Sequence, residues 1–276
     1  IAGKDLTPET VYNIGKATGT YFQKNYGNAI AVGRDNRLSS PELQKAFIRG
    51  LMETGCTVTD IGLATSPMVY WTTCALQFDG GVNITASHNP KEYNGIKITA
   101  KNGHSICGEE LQKIYILAKK EEKNRKKVKN TGKSKKIKTT SISRIYIDDL
   151  CSRAKLHKPL KIVIDCGNGV AGLFAEKLFK KFGCEVIPLY CELDGNFPNH
   201  EANPEVEKNL KDLAKKVKKT GADIGLGFDG DGDRLGVVTA DGRIIYPDRQ
   251  LMLFARDVLS RRPGAEIVYD VKCTRH

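Results

Sequence analysis

Short apolar runs alternate along this chain with longer segments in which apolar residues recur every three or four positions. The short runs read as strands: Ala29 to Val32, Thr57 to Ile61, Gly81 to Ile84 and Gly95 to Ile98 in the first half. In the second half they fall at 161 to 166, 184 to 190, 222 to 228 and 235 to 239. Helix starts are marked at Thr7-Pro8-Glu9, Ser40-Pro41-Glu42, Ser66-Pro67 and Asn203-Pro204-Glu205, where a capping side chain precedes a proline that the first turn tolerates. Gly27 and Gly55 stop the first two helices. Further helices are expected at about 170 to 182 and 204 to 220, the latter with Val206, Leu210, Leu213 and Val217 on one face. Near-continuous apolar strands between amphipathic helices predict mostly parallel, helix-covered sheets, so the fold class is α/β.

This grammar runs twice. Residues 1–140 form one expected α/β domain and 141–245 a second, although no internal sequence repeat is evident. A helix from Asp248 to Ser260 and a strand from Glu266 to Val271 read as the start of a third, similar domain over 246–276. The chain begins at Ile1 without a methionine or signal-type sequence, and it stops at Arg275-His276 just after a strand-like run, so both ends are expected to be cut.

Charge changes the picture less than its size implies. The formal net charge is +12, but residues 119 to 138 supply +9 of it, leaving +3 elsewhere. That segment has no aromatic residue on which a base could stack, and it reads as a solvated linker or helix end rather than a nucleic-acid surface. No apolar run approaches the roughly 20 residues that span a bilayer. Eight cysteines stand without a Cys-x-x-Cys pair, which fits free thiols in a reducing cytoplasm.

Three motifs carry candidate chemistry. Gly227-Phe228-Asp229-Gly230-Asp231-Gly232-Asp233-Arg234 follows a strand and sets three carboxylates at alternate positions between glycines. A hard divalent cation such as Mg²⁺ would supply their counter-charge, while glycine lets the loop tighten. A calcium loop does not fit, since Arg234 stands where its glycine belongs and Ala240 where its glutamate belongs. Thr85-Ala86-Ser87-His88-Asn89-Pro90 also leaves a strand, and alone it fits a polar turn as well as a nucleophile. Neighbouring side chains in extended backbone point apart, so His88 is not expected to serve as base to Ser87 in a hydrolase triad. Gly167-Asn168-Gly169-Val170-Ala171-Gly172 matches a dinucleotide fingerprint, yet a tight strand-to-helix turn accounts for the same glycines and no hydride partner accompanies it.

Together these motifs resemble the phosphomannomutase/phosphoglucomutase branch of the α-D-phosphohexomutases, over essentially the whole chain. Val32-Gly33-Arg34-Asp35 with Ser39-Ser40-Pro41 is similar to the opening of that family's first domain. Thr85 to Pro90 is similar to its phosphoserine loop, Gly227 to Arg234 to its metal loop, and Asp270 to Arg275 to the start of its third domain. The resemblance implies four domains, with sugar-reading and distal-phosphate loops beyond this sequence and a catalytic arginine before it, so that this chain alone would lack useful turnover. It implies that phosphorylated Ser87 donates to a hydroxyl of a hexose phosphate while Asp229, Asp231 and Asp233, completed by the phosphoserine, hold Mg²⁺. A sugar 1,6-bisphosphate then reorients and returns its other phosphate, giving net exchange between the 1- and 6-phosphates. Lys97 is the implied general acid/base, provided that desolvation or nearby positive charge lowers its pKa. Arg34, Arg234 and Lys272 are candidate phosphate neighbours, and His88 a further candidate catalytic residue. Tyr93-Asn94-Gly95-Ile96-Lys97 and Asp194 to His200 point to mannose or glucose phosphates; a phosphoglucosamine mutase, or an idle sugar-phosphate or nucleotide-binding module, are the alternatives. The enzyme is expected to be a cytoplasmic monomer with neither nucleic-acid nor membrane partners.

Overall fold

The computed structural model describes residues 1–123 and 137–274. Most of the basic segment at 119 to 138 therefore lies outside the described residues. Among the described residues, ten strands form two five-stranded sheets. The first contains β1 (Ala29–Arg34), β2 (Thr57–Leu63), β3 (Gly80–Ile84), β4 (Ile96–Ala100) and the short β5 (Lys138–Thr139), in the order β4-β3-β1-β2-β5. Only the β3–β4 pair is antiparallel. The second contains β6 (Lys161–Asp165), β7 (Glu185–Leu189), β8 (Ile224–Phe228), β9 (Leu235–Thr239) and β10 (Ile244–Ile245), in the order β10-β9-β8-β6-β7. There β6 runs parallel to β7 and β8, while β8–β9 and β9–β10 are antiparallel. Both sheets are thus mixed, because a short connection such as Asp229 to Arg234 can only return the chain antiparallel.

Strand alternation decides what each face buries. Ile30 and Val32 of β1, with Val82, Ile84 and Ile98, meet the helices α1 (Pro8–Asn25), α2 (Ser40–Glu53) and α4 (Gly108–Lys123). Ala31 and Ile61 look the other way, onto Met68 and Val69 of α3 (Ser66–Ala75). That second cluster continues through Ile142, Tyr146 and Ile147 at α5 (Ser143–Arg153) to Ile162 and Ile164 of β6 and to α6 (Ala175–Lys181). The two sheets therefore share one apolar layer. Beyond it, Val163 and Val238 pack on Leu213 and Val217 of α7 (Lys211–Thr220). No described helix is long and apolar enough to cross a membrane.

Some local expectations change. The helix expected at about 170 to 182 is a 3₁₀ turn over Val170–Leu173 followed by α6, because Gly172 sits against the Cys191 carbonyl and Val170 N–H is drawn to the Gly230 carbonyl (3.2 Å). The dinucleotide-like glycines thus close a packed turn. The helix expected from 204 begins only at Lys211, after a 3₁₀ turn over Glu207–Leu210. α8 (Pro247–Arg261) forms as expected, but Glu266 to Val271 is not a strand: no described strand pairs with it, and Val268 and Val271 are 91% and 93% exposed.

α1 and α2 cross at two glycines. A Cβ at Gly15 would lie 2.4 Å from the Phe47 carbonyl oxygen, and one at Gly50 would lie 2.2 Å from that of Tyr12. Backbone cannot step aside as a flexible side chain can. Gly50→Ala is therefore expected to destabilise the chain by about 2 kcal/mol or more, read as a lower urea midpoint with an unchanged slope; a parent-like midpoint would show that the helices have room to separate.

Candidate active site

The site lies at the carboxyl ends of β1, β3 and β8, where loops from both sheets meet. Ser87 leaves β3 through Thr85 and Ala86 and stands in the left-handed region at φ +53°, which a residue with a side chain holds only when its surroundings impose it. Arg37 imposes it. Its guanidinium donates to the carbonyls of Ser87 (2.8 Å), Asn89 (2.7 Å), Pro90 (2.6 Å) and Tyr93 (3.2 Å), and its Nε donates to Asp35 (3.0 Å). Only arginine offers five donors in one rigid plane, and this one is 1% exposed. Asp35 also accepts from Ser40 Oγ (2.5 Å), and burial pushes its carboxyl up against the pull of Arg37. Arg37 is absent from the sequence-based candidates. Arg34 ends β1 and Arg37 stands in the loop that follows it; Arg34 is half-buried and Arg37 fully buried.

The acidic loop reaches Ser87 from the second sheet. Ser87 Oγ donates to Asp229 Oδ2 (2.7 Å), while Asp229 Oδ1 accepts from the backbone N–H groups of Asp233 (2.9 Å) and Arg234 (3.0 Å). Asp231 Oδ2 accepts from Ser66 Oγ at the start of α3 (2.6 Å) and from Lys97 Nζ (2.6 Å); Asp233 also accepts from Lys97 (2.6 Å). Gly230 has to be glycine, since a Cβ there would lie 2.4 Å from the Ser87 carbonyl oxygen. Asp229, Asp231 and Asp233 each offer an oxygen within 4.8 Å of the others. Asp229 and Asp231 are fully buried, and Asp231 Oδ1 has no hydrogen-bond partner. An unpartnered buried carboxylate oxygen in an all-oxygen cluster fits a hard divalent cation.

Electrostatics divide the carboxylates. Burial, reinforced by the charge of Asp231, pushes Asp229 up to about 7. Asp231 stays below its ordinary range: burial opposes this, but the Lys97 ammonium and the Ser66 hydroxyl outweigh it. Lys97 stands on β4 opposite Asn83, and there the expectation of a lowered pKa reverses. Burial alone would lower it, yet Asp231 and Asp233 together raise it well above its ordinary value, so it is an ammonium here. The separation expected between Ser87 and His88 is not found, because the left-handed turn at Ser87 brings His88 Nδ1 to 3.4 Å from Ser87 Oγ, although alternation in extended backbone would part them. Burial and then Arg234 lower the His88 pKa, which keeps the ring neutral. Arg234 borders the cluster and pairs with Glu205 (2.8 Å). For two other candidates the contacts are local: Arg34, at the end of β1, donates to the Asp35 carbonyl (3.2 Å), and the exposed Lys272 faces Asp270 (3.7 Å).

The raised Asp229 sets a pH dependence in the metal-free chain. Its folded pKa of about 7 exceeds the ordinary 3.8, so the folded state binds a proton that the unfolded state lacks, and stability falls as pH rises through about 7. With EDTA present, Asp229→Asn should exceed the parent in stability at about pH 8 by roughly 1–2 kcal/mol more than it does at about pH 5.5, and the gap should close only near the ordinary carboxylate pKa, at about pH 4. Urea titrations at the two pH values measure this; a variant weaker than the parent at the higher pH would contradict it.

Comparison with known proteins agrees with this geometry. Residues 1–125 match the family model of phosphoglucomutase/phosphomannomutase α/β/α domain I, and residues 144–242 match that of domain II. A phosphomannomutase/phosphoglucomutase of Pseudomonas aeruginosa is 49% identical over 275 residues, covering 100% of this chain and 58% of that protein. A phosphoglucomutase of Neisseria gonorrhoeae is 46% identical with the same coverage. The crystal structure of a phosphoglucomutase/phosphomannomutase family protein from Burkholderia thailandensis superposes with a TM-score of 0.90 at 45% identity, covering 99% of this chain and 60% of that one. The chain thus spans about three fifths of the length of these relatives. Two consecutive domain matches, in the order of the two sheets whose loops build the site, show that this chain belongs to the phosphoglucomutase/phosphomannomutase family.

Proposed function

We propose that this chain carries the nucleophile and metal site of a phosphohexomutase, in which phosphorylated Ser87 donates its phosphoryl group to a hydroxyl of a hexose phosphate and Oγ takes back the other phosphate of the resulting bisphosphate, exchanging sugar 1-phosphate and 6-phosphate. The observation that carries this reading is Ser87 Oγ, held by a left-handed backbone at 2.7 Å from Asp229 inside a cluster of three carboxylates. Asp229, Asp231 and Asp233 would hold Mg²⁺, which supplies Lewis-acid polarisation of a phosphoryl oxygen.

The chain's own residues position and move protons. Arg37 fixes four carbonyls of the Ser87 loop, so the nucleophile meets phosphorus without reorganising. When phosphorus passes from Ser87 Oγ to a sugar hydroxyl, the hydroxyl loses a proton and Oγ regains one. Lys97 is the proposed donor and acceptor. Its ammonium lies on the same carboxylate cluster as Ser87, and it can accept a proton only after leaving Asp231 and Asp233. His88 and Arg234 border the space beside Ser87 and are proposed to orient the transferred phosphoryl group.

Names of the relatives support mannose and glucose phosphates as substrates; a sugar 1,6-bisphosphate is the proposed intermediate. Residues 1–140 and 141–245 are proposed as the nucleophile and metal domains, with 246 onward opening a third. A cytoplasmic monomer remains our proposal for its setting.

Purified as its own cells make it, the protein should carry phosphate on Ser87, or gain one phosphoryl group there on incubation with glucose 1,6-bisphosphate and Mg²⁺. Peptide mass mapping locates it. Ser87→Ala should take up none, and Lys97→Arg, which keeps the charge but holds its proton, should slow the transfer by about a hundredfold or more. Phosphate on another residue would remove Ser87 from the mechanism; an unchanged rate in Lys97→Arg would leave Lys97 a purely electrostatic role.

A further inference from the structure

Behind the acidic loop lies a pair, buried Asp165 and half-buried His200, that the proposed mechanism does not use. β6 ends in Asp165, which is 1% exposed; its carboxylate accepts from Gly167 N–H (2.8 Å) and lies 3.0 and 3.2 Å from His200 Nε2. His200 Nδ1 lies 2.9 Å from the Glu201 carbonyl oxygen. A carbonyl oxygen accepts only, and so does an ionised carboxylate; both ring nitrogens must therefore carry hydrogen for both bonds to form. With Asp165 ionised, His200 is an imidazolium.

The pair anchors both segments that hold Gly230. On one side, His200 leads through Glu201 to Ala202, whose carbonyl accepts the Gly230 N–H (3.1 Å). On the other, Asp165 leads through the Gly167 turn to Val170, whose N–H donates to the Gly230 carbonyl (3.2 Å). The two segments also touch, for a Cβ on Gly167 would lie 3.1 Å from Ala202 Cα and 3.2 Å from His200 Cε1. Gly230 itself separates the two fully buried carboxylates and presses on Ser87, so its position sets theirs.

We infer that Asp165 and His200 are positioning residues for the acidic loop, fixing the Gly230 peptide so that Asp229 and Asp231 converge on a divalent cation. The inference rests on the proposed cation-binding role of that loop. Groups facing His200 are Asp165 at the end of β6, the edge of the Tyr190 ring (5.4 Å between centroids) after β7, and, through Tyr190, Asp212 of α7, which accepts the Tyr190 hydroxyl (3.1 Å). Burial would lower the His200 pKa, but Asp165 outweighs it and raises it above 6.5. The pair's contribution to stability is then complete below that ordinary value and lost as pH rises through the raised one.

The test compares the parent chain with His200→Leu and with His200→Gln, which keeps one donor for Asp165. Amide hydrogen exchange followed by mass spectrometry reads peptides spanning 226–234, and electron paramagnetic resonance reads Mn²⁺ binding. In His200→Leu the loop should exchange about tenfold faster or more, and Mn²⁺ should bind about tenfold more weakly. His200→Gln should fall between the two, with exchange at least roughly threefold faster than the parent, and it decides the matter if the leucine variant does not fold. The gap in urea midpoint between parent and variant should be full near pH 6 and shrink toward about pH 9, which a loss of packing alone would not produce. Parent-like exchange in the folded variant would overturn the inference. A parent that binds no Mn²⁺ would instead count against the cation-binding reading, leaving the exchange comparison to judge the pair.

Discussion

The structure turns on burying the carboxylates of Asp229 and Asp231 together, fully out of water, with Asp233 beside them. Each buried charge costs several kcal/mol unless another charge or hydrogen bonds offset it. The chain offsets part of this. Lys97 brings one ammonium from β4, Ser66 a hydroxyl from the start of α3, and Ser87 a third donor from the end of β3. One positive charge cannot satisfy three carboxylates, which is why Asp229 is pushed up to about 7 and one oxygen of Asp231 has no partner. The same imbalance that weakens the metal-free fold gives the loop its attraction for a cation.

Compensation also joins the two sheets. Among the described residues, the side chains that donate to Asp231 and Asp229 come from the first sheet and its helices, whereas the carboxylates themselves follow β8 of the second. An apolar layer shared between α3, α5 and β6 holds the sheets at the separation this needs. Arg37 extends the tie: it clamps the Ser87 loop, and its guanidinium lies 5.2 Å from the Phe197 ring centre, over a loop of the second half. Ser87 is therefore held from both sides of an interface, where carboxylates of one sheet meet donors of the other.

How far the sequence reveals this depends on the range over which each feature is decided. Strand cores and proline-marked helix starts are local, and α1, α2 and α3 begin at their prolines. Only Thr7 caps as expected: α2 is capped at Ser39 without a side-chain bond and α3 by Thr65, with Ser40 and Ser66 inside the helices. The acidic loop is legible because three carboxylates crowded between glycines repel one another unless a cation gathers them. Arg37 is not, since what marks it is burial under the Ser87 loop, a tertiary property. The protonation of Lys97 escapes a local reading because its two carboxylates stand more than a hundred residues away and nothing near it announces them. His88 escapes it too, because extended backbone is the natural expectation where Ser87 in fact turns left-handed. At Glu266 to Val271 the pattern is strand-like, but a strand needs a neighbour and none is present among the described residues.

The central claim is that the phosphoryl group on Ser87 and the three aspartates share one divalent cation. Phosphorus NMR of the Ser87-phosphorylated protein during titration with substoichiometric Mn²⁺ tests it most directly, because paramagnetic broadening falls steeply with distance from the ion and is strongest for a phosphate bound to it. The account predicts that the phosphoserine signal broadens away at low Mn²⁺ and stays sharp in Asp231→Ala at the same concentration. A signal that stays sharp in the parent while Mn²⁺ is bound, or that broadens equally in both proteins, would contradict it.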